Sequence, residues 1–155
     1  MKRVLLKLSG EALAGEKHTG FDEATCLEVA AQVKTLVDDG IQVGVVIGGG
    51  NFWRGRTSEN IDRPKSDQIG MLATVMNCIY VSEMFRSVGM KTKVYTPFNM
   101  GPIAELFTKD SALENLEKGV VTFFAGGTGH PYFSTDTTTT LRAIEIEADV
   151  ILLAK

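Results

Sequence analysis

Apolar and polar positions along this chain fall into two alternating rhythms. Arg3 to Leu8 ("RVLLKL") is a short, nearly continuous apolar run, the mark of a strand buried on both faces. Asp22 to Asp39 shifts to helical spacing, with Leu27, Ala30, Val33, Leu36 and Val37 recurring, Asp22 placed to cap the start and Gly40 to stop the end. "IQVGVVIGGG" then predicts a second buried strand that runs into glycines. A long apolar helix is expected from about Ser66 to Val88, a strand over Lys91 to Tyr95, a Pro/Gly-bearing loop from Pro97 to Pro102 and a shorter helix before Gly119. "VVTFFA" is the next strand, Thr135 to Glu147 the last helix and Val150 to Ala154 the final strand. Strands alternating with helices predict an α/β fold, a mostly parallel sheet flanked by helices on both faces.

Composition narrows the function classes. The 155 residues fit one domain, 1–155, with enough chain to bury a core unaided. A net charge of -3 with 23% charged residues argues against a nucleic-acid surface built on bulk positive charge. The opening "MKRVLLKLSGEALAG" imitates a secretory signal, but Lys7, Gly10 and Glu11 interrupt its apolar run, and nothing approaches the ~18 apolar residues of a membrane span. Cys26 and Cys78 lie far apart without metal-type spacing and read as reduced core thiols, which suits a cytoplasmic setting. "VILLAK" runs straight to the last residue, although ligand loops of such sheets normally lie beyond the carboxyl ends of strands, so the domain is expected to be incomplete at its C-terminus.

Three of the expected strands end in small-residue loops: "KLSG" (7–10), "GGGN" (48–51) and "GGTG" (126–129). Parallel strands would open all three on the carboxyl edge, where backbone N–H groups and helix N-termini can converge on anions. Taken singly, each is equally well a tight turn. No Gly-Lys dipeptide and no G-x-G-x-x-G occurs, so neither a Walker A loop nor a dinucleotide fingerprint is present. Lys7 inside an apolar strand calls for an anionic partner, naturally a phosphate, or else guards an edge strand. Arg54 in "GGGNFWRG" offers a planar fork to phosphate oxygens, whereas Phe52 and Trp53 read as packing or shielding groups. Asp67, ahead of the long apolar helix, either complements the helix dipole or accepts sugar hydroxyls. One of Ser134, Thr135 and Asp136 should cap the last helix. The methionines Met71, Met76 and Met84 read as core fillers, and the helix that carries them is apolar nearly all round, which demands burial within one subunit or against another.

"KLSG", "GVVIGGGNFWRG", "DQIGMLATVMN" and "GGTGHPYFSTD…LRAIEIEADVIL", in this order, resemble the bacterial uridylate kinases (UMP kinases) of the amino acid kinase superfamily over the whole chain, most specifically in the last three blocks. The resemblance implies an amino acid kinase-like three-layer fold and phosphorylation of UMP by ATP with Mg2+, in a cytoplasmic homohexamer that GTP activates and UTP inhibits. It places Lys7, Leu8, Ser9 and Gly10 on the ATP phosphates with Gly50 and Arg54 beside them. Gly49 and Asp67 would contact UMP, and Thr128, Gly129, His130, Pro131, Tyr132, Phe133, Ser134 and Thr135 would wrap it. Lys7, Arg54 and Asp136 would be catalytic, with Asp136 orienting Lys7 or a magnesium-bound water, and the metal held mainly by phosphates. Gly15, Glu16, Lys17, His18, Thr19 and Gly20 match loosely a loop near the effector site. His130 stands where the family usually has asparagine, Ser82 where some members have an effector-site arginine, and the family's segment after the last strand, which supplies the adenine contacts, has no counterpart here.

The chemistry needs no catalytic base, because a phosphate with second pKa near 6 is already anionic at neutral pH. Two other readings stay open at this point. One is a superfamily member acting on a small acidic substrate, disfavoured by "HPYFSTD". The other is a truncated non-catalytic module that binds UMP or UTP or merely oligomerises.

Overall fold

The computed structural model describes residues 2–54 and 60–154. It is built on a six-stranded sheet in the order β4-β3-β5-β2-β1-β6, with β1 Arg3–Leu8, β2 Gln42–Ile47, β3 Thr92–Thr96, β4 Glu105–Leu106, β5 Val121–Phe124 and β6 Val150–Ala154. All pairings are parallel, with Leu5 opposite Gly44 and Ile151, and Val45 opposite Phe123. The helices are α1 Gly10–Ala14, α2 Glu23–Asp38, α3 Arg63–Ser87, α4 Lys109–Glu117 and α5 Thr135–Glu145.

Two separate cores explain why the central strands are apolar on both sides. Val4, Leu6, Val43, Val45, Ile47 and Phe123 meet Cys26, Ala30 and Val33 of α2 and Val75, Cys78, Val81 and Phe85 of α3. Leu5, Val46, Tyr95 and Phe124 face the opposite way, onto Ala112 and Leu116 of α4 and Ala143 of α5. Helices therefore cover both faces, and each fully buried Val or Leu contributes about 1.5–3 kcal/mol relative to exposure. Both cysteines are free and buried, and burial pushes the Cys26 thiol up to about 11 and the Cys78 thiol higher still, so both are inert core groups.

Helix boundaries follow local chemistry. Asp22 caps α2 by accepting from the Thr25 N–H at 3.0 Å, and Gly40 just beyond the helix takes a φ of +83°. The long helix starts earlier than the sequence suggests: Pro64 sits in its first turn, where a missing N–H removes nothing, so α3 extends back to Arg63. Three further expectations need correction. Lys7 is not on an edge strand, because β1 lies between β2 and β6, which removes the edge-guard reading. Met71 and Met76 are not core fillers: Met71 lines a cleft and Met76 is exposed. Finally, α3 is not buried all round within the one chain: Ile69, Leu72, Met76 and Ile79 form an exposed stripe along it, which removes only the reading of burial within one subunit.

Candidate functional site

Strands β1, β2 and β5 are neighbours, so their carboxyl ends deliver three small-residue loops to one edge of the sheet. At the centre is Gly48, whose N–H donates to the Leu8 carbonyl at 3.0 Å. Gly10 approaches so closely that a Cβ there would lie 2.4 Å from the Gly48 carbonyl oxygen and 2.7 Å from Asn51 Oδ1. Only glycine allows α1 to start at that point. Across the same junction, Thr135 Oγ1 would lie 3.8 Å from a Cβ at Gly48, which brings the N-terminus of α5 to the other two loops.

Beside this junction is a cleft of about 250 Å³. One wall is α3, which presents Ser66, Asp67, Gly70, Met71 and Thr74, positions three, four and seven apart that share a helix face. The second wall is Gly49, Gly50 and Trp53 from the loop after β2, and the third is Gly127, Thr128, His130, Phe133, Ser134, Thr135 and Thr138 from the loop after β5 and the start of α5.

That last loop is strapped along the same face of α3. Thr74 Oγ1 accepts from the Gly126 N–H at 2.8 Å while donating to the Met71 carbonyl at 2.6 Å. Two helical turns earlier, Asp67 accepts from the Tyr132 N–H at 2.7 Å and from Arg63 Nε at 3.1 Å. The Arg63 guanidinium in turn lies over the Tyr132 ring, 4.9 Å from its centroid. Tyr132 is held at a φ of +73°, a conformation costly for a side chain of its size, and this carboxylate latch is what opposes that cost. Gly126 takes a φ of +81° with Pro97 and Phe98 only 2.9 Å from where a Cβ would be, so the strap begins at a position that requires glycine. Ser134 caps α5, its Oγ accepting from the Thr137 N–H at 3.2 Å, which leaves Thr135 and Asp136 available.

Of the residues expected from the sequence, Gly49, Gly50, Asp67, Thr128, His130, Phe133, Ser134 and Thr135 line the cleft together. Gly129, Pro131 and Tyr132 belong to the same strap without lining it, and Tyr132 and Phe133 are exposed. Asp67 is not ahead of its helix but in the second turn, with its carboxylate already engaged by Arg63 and Tyr132. Lys7 is half-buried at the carboxyl end of β1, and Asp136 is exposed at the second position of α5; the side chains of both have no hydrogen-bond partner among the described residues. Arg54 forms an ion pair with Glu11 of α1, and both side chains are about half exposed. Leu8 and Ser9 line a separate cavity of about 270 Å³ between β1, α1 and α2, closed at one side by Ala154 of β6.

The segment from Gly15 to Gly20 forms a 3-10 turn over Gly15–Lys17 and then closes onto the loop after β2, with Gly20 N–H and Thr19 Oγ1 both donating to the Asn51 carbonyl. His18 and Thr19 line an outer cleft of about 410 Å³ with Gly50, Asn51, Phe52, Trp53 and Arg54. Ser82, by contrast, pairs with Thr92 at 2.7 Å on another side of the molecule.

Sequence reasoning missed Ser66, Gly70, Met71, Thr74 and Thr138 as cleft residues; Trp53, read as a packing or shielding group, is a wall of the cleft, its Nε1 donating to Ser66 Oγ at 3.0 Å. The spacing of Ser66, Gly70 and Thr74, small residues four apart in an apolar helix, was the available signal. Among the described residues no group of three or more His, Cys, Asp or Glu is placed to hold a metal ion.

The family model described as amino acid kinase family matches residues 2–155. The chain belongs to the amino acid kinase family. Among solved structures, this family member is similar to the UMP kinase from Bacillus anthracis, with a TM-score of 0.95 and 38% identity, covering 99% of this chain and 64% of that one. It is also similar to the UMP kinase from Ureaplasma parvum, with a TM-score of 0.94 and 29% identity, over 99% of this chain and 66% of that one. The chain thus spans just under two thirds of the length of these solved relatives. No helix among the described residues is long and apolar enough to cross a membrane.

Proposed function

We propose that this chain carries the acceptor site of a UMP kinase, in which the γ-phosphoryl group of ATP passes to UMP to give UDP and ADP. The observation that supports the reading most is the cleft between α3 and the strap Gly126–Ser134, which gathers the residues expected to hold the nucleoside monophosphate. Its size and its mixture of an apolar wall (Trp53, Met71, Phe133) with hydroxyl, backbone and carboxylate groups suit a base and sugar. The α5 N-terminus beside it, with Ser134 and Thr135, offers N–H groups and partial positive charge to the phosphate.

ATP phosphates would lie over the junction of the three loops, near Lys7, Leu8, Ser9, Gly10, Gly50 and Arg54. The Lys7 ammonium has no hydrogen-bond partner among the described residues and is thus available to follow charge on the transferred phosphoryl group. Arg54 would have to exchange Glu11 for phosphate to act there. The residues present fit a magnesium ion held chiefly by nucleotide phosphates and water, with Asp136 as the nearby carboxylate, because Mg2+ keeps several waters and needs only one or two protein carboxylates. When bound it would neutralise phosphate charge. What the chain itself does is orient: the strap fixes the acceptor, Asp67 or the strap's hydroxyls take the sugar, and the loops exclude water. The same reading carries a cytoplasmic homohexamer with GTP as activator and UTP as inhibitor.

Isothermal titration with UMP, with CMP as control, and an ADP-release assay in magnesium and ATP test this. Micromolar-range binding selective for UMP is expected. A folded sample that binds neither nucleotide overturns the reading.

A further inference from the structure

Two side-chain amides are buried between the three-loop junction and α3, and no role above uses them. Asn77, in the middle of α3, and Asn51, at the end of the glycine loop after β2, are 0% and 2% exposed. They form a reciprocal pair: Asn77 Nδ2 donates to Asn51 Oδ1 at 2.8 Å, and Asn51 Nδ2 to Asn77 Oδ1 at 2.9 Å. Each spends its second N–H on a backbone carbonyl, Asn77 on Gly48 at 2.7 Å and Asn51 on Gly20 at 3.0 Å. Asn51 then closes the circle through its own carbonyl, which accepts from Gly20 N–H at 3.2 Å and Thr19 Oγ1 at 3.1 Å.

An asparagine is a weak helix former, and burying an amide is costly unless every polar atom is matched. Here both amides have all their N–H groups and carbonyls engaged. The arrangement is also directional, because flipping either amide would set N–H against N–H and strand a carbonyl. A planar trans peptide places the Gly49 N–H opposite the Gly48 carbonyl, so fixing that carbonyl fixes a donor of the loop that walls the cleft. At the other end, Gly20 and Thr19 belong to the outer segment, and the inner and outer clefts share Gly50 and Trp53 as a common wall.

We propose that Asn51 and Asn77 are positioning residues: a buried amide relay that holds the Gly48–Gly50 loop in its ligand-ready conformation and couples it to the outer segment Gly15–Gly20. The coupling stands on the geometry alone; its consequence for ligand affinity rests on the acceptor-site reading above. Any contact that moves the outer segment changes the inner cleft through this relay, and the reverse holds equally.

Amide hydrogen exchange on the full chain tests the coupling, with Asn77→Asp and Asn51→Asp as shape-conserving variants that replace donors by acceptors. Each variant should speed exchange at least tenfold both at Gly48, Phe52 and Trp53 and at Gly20, while Phe123 in β5 reports that the sheet stays closed. Acceleration confined to one of the two segments overturns the relay. Should Asn77→Asp fail to fold, Asn77→Ser, which keeps one donor, reads the same coupling. In the ligand arm, Asn77→Asp should weaken UMP binding about tenfold or more, Asn77→Ser should recover part of that loss, and UMP should slow exchange at Gly20 in the parent protein. Unchanged UMP affinity in Asn77→Asp removes the positioning role. A parent protein that binds no UMP refutes the acceptor-site reading, and the exchange arm then decides the relay by itself.

Discussion

Two parts of the same sheet edge are built in opposite ways. The strap from Gly126 to Ser134 is satisfied from within: Thr74 takes the Gly126 N–H, Asp67 takes the Tyr132 N–H, and Ser134 caps α5. The junction beside it is left open, with Lys7 half-buried and Asp136 exposed, neither side chain paired among the described residues. Bonded groups hold geometry and contribute to stability. A charged group held without a partner at a sheet edge where loops converge contributes little to stability and keeps its full capacity for a ligand. Loss of the strap's internal bonds should therefore show mainly in stability, and loss of the junction's charged groups mainly in function.

The largest effect is expected at the junction. Asp136→Ala and Lys7→Ala should each lower ADP release by about 100-fold or more, the scale typical of losing one group that stabilises a transition state. Their unfolding free energies from urea titration should stay within roughly 0.5 kcal/mol of the parent. A large stability loss with activity kept would invert the comparison. Next is the strap's inner anchor: Thr74→Val preserves shape but leaves the buried Gly126 N–H without an acceptor, and should cost about 1–3 kcal/mol in urea unfolding. Asp67 sharpens the contrast because it touches both categories. Asp67→Ala should weaken UMP binding about tenfold, or ~1.4 kcal/mol, whereas Asp67→Asn, whose amide oxygen still accepts from Tyr132, should retain most of the affinity. Equal losses in both would show that the negative charge, rather than the latch, matters.

The smallest effect lies away from the site. Glu105 is held below its ordinary value of 4.5, first by the Ser111 hydroxyl and then by Lys93. A carboxylate whose folded value is depressed contributes stability that is present above about 4.5 and lost as pH falls through the lower folded value. The urea midpoint should thus decline as pH drops below 4.5, and Glu105→Gln should flatten that decline slightly, because both partners are partly exposed and the ion pair is screened.

Much of this architecture was legible in the sequence because its signals are local. Arg3–Leu8 and Val150–Ala154 read directly as strands from short apolar runs, and Asp22 and Gly40 mark the ends of α2. The three glycine loops could be placed on one edge from the alternation of strands and helices. What stayed hidden depends on long-range pairing. That β1 is central, so Lys7 guards no edge, follows from β6 returning to its free side. The latch joins Asp67 to Tyr132 across 65 residues, and the Glu11–Arg54 pair spans 43. Five-residue α1 and two-residue β4 are too short to show a period at all. Asn77 carries no sequence signal beyond a polar residue in an apolar helix, and its meaning emerges only when Gly48 and Asn51 are placed against it.

The most direct test of the central claim locates the ligand rather than merely detecting it. Backbone amide shifts of the uniformly labelled 155-residue chain, followed during UMP titration, should move at Gly49 and Gly50, along Gly127–Thr135 and at Gly70 and Met71, with β3 and α4 unaffected. Saturable shifts elsewhere with this cleft silent, or no shifts in a folded sample, would contradict the account.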